Sequence, residues 1–149
     1  MSQRRALRNT LRSLSRYQRD RLAESSRSLA QQLEELERRE AALERSIETM
    51  GIAVGTRFSD AFERSAHDRY LTSLRDQLQS VRLRRDQVQA DLHAVREDLE
   101  RSVVEHRKMD HMVETFDRRV EDDRQRREEQ QCDDLISGQW RRVRVEESA

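Results

Sequence analysis

The 149-residue chain has no proline, three glycines, one cysteine and only 4% aromatic residues. Each shortage excludes something. Without proline, the residue that both removes a backbone donor and clashes with the preceding turn is missing, so little in the sequence forces a helix to stop. The lone Cys132 has no partner for an intramolecular disulfide and fits a reducing compartment. With 34% apolar residues there is too little apolar surface to close a compact core, yet enough for a narrow seam between helices. Net charge is absent too, since 30 cations cancel 30 anions. Disordered chains of low hydropathy usually carry net charge, proline and glycine, so helix is favoured over disorder. No window approaches the roughly 18 apolar residues of a membrane span. The start, "MSQRRALRNTLRSLSRYQRDR", lacks the apolar stretch of a secretory signal. The expectation is a cytoplasmic, all-α protein without direct membrane insertion. Lysine is nearly missing, Lys108 being the one example. That fits either a choice of bidentate contact groups or a simple bias toward Arg codons.

What is present is periodic. Leu7, Leu11 and Leu14 are followed by Gln18 and Leu22, then Ser26, Leu29, Leu33, Leu36, Glu40, Leu43, Ile47 and Met50. From Leu22 the steps alternate four and three, the a/d signature of a coiled-coil seam. The step from Gln18 to Leu22 reads as a stutter. A second stripe runs Tyr70, Leu74, Leu78, Val81, Arg85, Val88, Leu92, Val95, Leu99 and Val103. It continues through His106, Met109, Val113, Phe116 and Val120. Phe58, Phe62 and Ala66 enter by successive steps of four, suggesting a distinct first turn or a short separate helix that Ser59 or Asp60 caps, with Glu63 three residues past Asp60. Acid-before-base pairs at i, i+4, such as Glu34–Arg38, Glu97–Arg101 and Asp122–Arg126, each add a few tenths of a kcal/mol.

Between the stripes lie two of the three glycines, in "SIETMGIAVGTRFSDAFERS" at 46–65. The most economical fold is a long antiparallel two-helix coiled-coil hairpin with a longer second helix. It forms one domain over 1–149: a helix at about 3–50, a tip at about 51–58, a helix at about 59–137 and a flexible tail at 138–149. Gly51 is expected as a left-handed C-cap, and Gly55 as the other turn glycine. Ile52, Val54 and Phe58 are expected to cover the tip. The competing fold, one continuous helix in a parallel dimer, would carry two glycines at a cost of about 2 kcal/mol. Folding about residue 54 pairs residue i with about 108 − i on the rise of an α-helix. Everything beyond about 105 then lacks a partner, although it carries Met109, Val113, Phe116 and Val120. An uncovered apolar stripe implies another molecule. Beside it, residues 1–30 carry a net +6 and residues 111–140 a net −4.

Chemistry finds little footing. His106 and His111 are five apart and do not face one metal, so no metal or cofactor is expected. Cys132 has no catalytic histidine within a plausible fold. The glycines lack the Gly-Lys-Ser/Thr of a phosphate loop, and a helical hairpin offers no concave pocket. No enzyme is expected. Arg4, Arg5, Arg8, Arg12, Arg16 and Arg19 would suit phosphates, but a base-reading face has only Asn9 to offer. A basic surface for an acidic protein partner is preferred over nucleic acid.

The stretch "REEQQCDDLISGQW" at 127–140 resembles the end of the FliJ/YscO family of bacterial type III export proteins, of the flagellum and the injectisome. Glu128, Glu129, Gln130 and Gln131, then Asp133, Asp134 and Leu135, match its polar run followed by an acidic pair and an apolar residue. "MGIA" at 50–53 and "YLTSLRDQL" at 70–78 are similar to the end of its first helix and the opening of its second. The segment between them is longer than in flagellar members. The resemblance implies a non-enzymatic central stalk of the export ATPase complex, promoting assembly and activity of the hexameric ATPase. The implied partners are that ATPase, the cytoplasmic domain of the export-gate membrane protein and export chaperones. The implied location is the cytoplasm, peripheral at the inner face of the membrane through those partners. It also implies a gate contact near Leu33, Leu36, Tyr70 and Leu74. Combined with the seam and the basic start, the expected ATPase-ring contact is Arg4, Arg5, Arg8 and Arg12 with Met109, Val113, Phe116 and Val120. The alternative is a generic self-associating scaffold coiled coil. Flagellum and injectisome both stay open.

Overall fold

The computed structural model describes residues 2–53, 58 and 60–149. It has two helices, α1 at Ser2–Ala53 and α2 at Ala61–Glu147, and no strand among the described residues. The chain is an all-α two-helix hairpin whose second helix is the longer. Asp60 caps α2: the Glu63 amide donates to its Oδ1 at 2.8 Å, and the Arg64 amide to its carbonyl at 3.4 Å. A short acceptor before the first turn satisfies donors that have no intrahelical partner.

The end of α1 departs from the expected turn. Gly51 is helical, and no described residue has positive φ. It is therefore not a left-handed cap, and α1 runs on to Ala53. Gly55 and Val54 lie outside the described residues. The Met50 carbonyl belongs to the last turn, where carbonyls lack intrahelical donors. It accepts a hydrogen bond from His67 Nε2 at 3.2 Å. Phe58 packs its ring 5.1 Å from that of His67, while Ile52 is exposed. A donor reaching across from α2 takes over the role expected of the glycine.

Packing divides the chain into two compact units, residues 15–103 and residues 1–14 with 104–149. In the first, Leu74, Leu78, Val81, Val88 and Leu92 are buried against half-buried Leu22, Leu29, Leu33, Leu36, Leu43 and Ile47. These are the expected a and d positions. Three positions at the α2 entry differ. Leu71 and His67 occupy the seam, whereas Tyr70, Ala66 and Phe62 are exposed. The heptad steps of Leu71, Leu74 and Leu78 continue back to His67, so no separate first turn forms.

Within each unit, residue i of α1 faces about 122 − i of α2, the register of an antiparallel two-helix seam. Glu40 meets Arg82 in the first unit and Arg12 meets Asp110 in the second. The expected register was about 108 − i, from a fold centred on residue 54. It fails because α1 continues through Gly51 and α2 begins only at Ala61. Gly51 costs the helix about 1 kcal/mol, which the His67 bond and the Ile47–Met50 end of the seam offset.

In the second unit, the heptad frame places Arg8 and Arg12 in the seam, half-buried. Leu7, Leu11 and Leu14 are exposed. Read backward from Leu22 the half-buried positions are Arg19, Ser15, Arg12 and Arg8, in unbroken steps of three and four, so there is no stutter. Asp117 and Asp110 on α2 compensate Arg8 and Arg12, whose methylene stems fill the seam. Finally, α2 stays helical through Glu147, where a flexible tail from 138 was expected.

Candidate functional site

The second unit gathers most of the residues singled out by the sequence. Arg8 lies over the Phe116 ring, its guanidinium carbon 3.3 Å from the centroid, and its Nη1 is 3.8 Å from Asp117 Oδ1. Arg12 Nε sits 2.6 Å from Asp110 Oδ1. That oxygen lacks a well-aligned hydrogen bond, so the contact is ionic rather than directional. The other oxygen of Asp110 lies 3.3 Å from Nε2 of buried His106. Cation, carboxylate and imidazole thus form one strip where a purely apolar seam would carry leucines.

This geometry corrects the expected overhang. Met109 and Val120 are half-buried, and Val113 is only 6% exposed. They are covered by α1 of the same chain and are not an open stripe. Phe116 keeps a 36% exposed edge beneath Arg8. Of the four arginines, Arg4 and Arg5 face solvent, while Arg8 and Arg12 are held by Asp117 and Asp110. With the register at about 122 − i, the stretch of α2 past the level of Ser2 begins near residue 121, not 105. Every residue from 121 to 149 is exposed. Leu135, Ile136, Trp140 and Val143 are among the exposed apolar side chains there. The steps of four and three from 136 to 143 were present in the sequence, but reading 138–149 as a tail hid them.

In the first unit, the four residues linked to a gate contact part company. Leu74 is buried, Leu33 and Leu36 are half-buried, and Tyr70 exposes 54% of its surface. Only Tyr70 offers its side chain broadly to a partner. Midway along, Glu40 is a buried acid in the seam. It accepts hydrogen bonds from Arg82 Nε at 2.9 Å and Arg85 Nη1 at 2.5 Å, and Arg82 also reaches Glu44 at 2.7 Å. The Arg82 hydrogen bond is the largest influence holding the Glu40 carboxyl below its ordinary 4.5, with Arg85 adding to it against the opposing effect of burial. The strength of such charge-assisted bonds makes this network a structural lock between helices. Elsewhere Glu34 and Arg38 pair within one helix face, and Arg101 turns to Asp98 at 3.2 Å rather than to Glu97.

Among the described residues no three His, Cys, Asp or Glu side chains gather as a metal site, and Cys132 is exposed. No helix of the described residues is long and apolar enough to cross a membrane. Arg4, Arg5, the Phe116 edge, α2 from 121 onward and Tyr70 are exposed. Compared with protein-family models, curated proteins and solved structures, the chain matches none.

Proposed function

We propose that this chain is a non-enzymatic central stalk of a bacterial type III protein export ATPase complex. It promotes assembly and activity of the hexameric ATPase and links it to the export gate and to export chaperones. It is cytoplasmic, held at the inner face of the membrane through those partners. The observation that carries the reading is the free, fully exposed stretch of α2 from 121 to 147 beside the solvent-facing Arg4 and Arg5. The unequal two-helix hairpin and the family resemblance of 127–140 add support. In this reading Arg4, Arg5, the Phe116 edge and α2 beyond 121 enter the ring. Arg8, Arg12, Met109, Val113 and Val120 act behind them by holding the two helices together. Tyr70 is the remaining exposed candidate for the gate.

The test is addition of the purified chain to the cognate hexameric ATPase, following hydrolysis rate and subunit assembly together. The expected result is stimulation that saturates at one chain per hexamer and accompanies ring assembly. No change in either quantity, at concentrations where the chain is folded, overturns the reading.

A further inference from the structure

Residues 121–147 carry an apolar face of their own. Ile136, Trp140 and Val143 step by four and three, and Cys132 precedes Ile136 by four, so these side chains project from one side of the helix. Leu135 borders them. All five residues are exposed, Trp140 by 67%. Tryptophan is the side chain most enriched where interfaces concentrate their energy.

Charge is polarised immediately about the face. Asp133 and Asp134 precede its centre and Arg141, Arg142 and Arg144 follow it, with Glu128 and Glu129 further back and Glu146 and Glu147 further on. We propose that this face binds a second copy of the same chain, the two α2 segments running antiparallel about a two-fold axis near residue 138. A self-complementary patch related by a two-fold axis is the commonest form of oligomer contact. Here residue i faces about 276 − i of the partner. Ile136 meets the partner's Trp140, and Cys132 meets the partner's Val143. Asp133 then lies beside the partner's Arg144 and Asp134 faces the partner's Arg142, so the acids that flank the face cover the arginines that flank it in the other copy, while Glu128 and Glu129 fall opposite the partner's last residues, at the partner's Ser148 and the partner's Glu147. A parallel pair stacks acid on acid and arginine on arginine, which costs affinity. The charge pattern therefore selects both the occupant and its direction. Gly138 lies on the far side of the helix by phase, and a Cβ there meets nothing within 4 Å.

The pairing does not rest on the stalk reading, and either can fail alone. If both hold, a ring and a second copy compete for the same stretch of α2.

Sedimentation equilibrium of the full chain, with emission from its single tryptophan recorded over the same concentrations, tests the proposal. A reversible monomer–dimer equilibrium is expected, weakened by salt, with Trp140 emission moving to the blue as dimer forms. Trp140→Ser raises the dissociation constant at least about tenfold, while Gly138→Ala leaves it unchanged; circular dichroism confirms that both variants are helical. Val143→Cys yields an intermolecular disulfide with Cys132 under mild oxidation, and the wild type does not. A monomer at all concentrations, a Trp140→Ser dimer as tight as wild type, or ready cross-linking of wild type through Cys132 alone each overturns the antiparallel pairing.

Discussion

Glu40 sits where a coiled coil ordinarily places leucine, and replacing it probes how the two helices hold their register. Its side chain is 12% exposed and bonds Arg82 and Arg85 from across the seam. Glu40→Ala removes both charge-assisted bonds and leaves a gap. A buried bond of this kind contributes about 1.5–3 kcal/mol, but the arginines here are half-exposed and recover hydration when released. The expected loss is therefore about 1–3 kcal/mol in total, below the range for a fully buried pair. Glu40→Leu fills the gap and should lie within about 1 kcal/mol of wild type. The assay is urea unfolding of the full chain followed by circular dichroism, near neutrality and again in acid. Because the folded carboxyl is held below 4.5, Glu40 contributes fully above that value. Its contribution fades as pH falls through the lower folded value, since the unfolded state then binds the extra proton first. The gap between wild type and Glu40→Ala should accordingly narrow in acid. A neutral-pH loss under about 0.5 kcal/mol, the level of an ordinary surface change, or a gap that widens in acid refutes the reasoning.

Other substitutions give independent checks. Val88, only 1% exposed, should cost about 1–2.5 kcal/mol as Val88→Ala, whereas exposed Leu83 should change stability by less than about 0.5 kcal/mol as Leu83→Ser, both read from urea midpoints. Asp60→Ala should cost about 1 kcal/mol by removing the cap on α2, with faster hydrogen exchange at the Glu63 amide. Arg8→Ala should lose about 0.5–1 kcal/mol of cation–π contact with Phe116 and expose Leu7 and Phe116 further, seen as greater protease sensitivity at the start of α1.

The hairpin was legible because its evidence is redundant. From Leu22 to Met50 and from Leu74 to Leu99 the apolar steps repeat often enough that Glu40 and Arg85 do not obscure them. Asp60 announced its cap through Glu63 three residues on. Register was not legible, because it depends on where α1 stops. Gly51 pointed to residue 51, and only the hydrogen bond between His67 and Met50 shows why the helix outlasts it. The first turns of α1 misled for a related reason. Leu7, Leu11 and Leu14 look like a seam, but Asp110, Asp117 and Phe116 draw Arg12 and Arg8 inward and leave the leucines in solvent. Such a preference is set by partners about 100 residues away in sequence, along a register that no local pattern states. The expected uncovered stripe at Met109, Val113, Phe116 and Val120 inherited that register error, and the open stretch lies beyond it.

The most direct test of the stalk account asks which end of the hairpin acts on the ATPase. Hydrolysis by the cognate hexamer should be measured with wild type, with the Arg4→Glu/Arg5→Glu double variant and with Tyr70→Ser. All three residues are exposed, so the changes should leave folding intact. The account predicts that the arginine variant loses stimulation while Tyr70→Ser retains it. Stimulation that survives Arg4→Glu/Arg5→Glu and disappears with Tyr70→Ser contradicts the account.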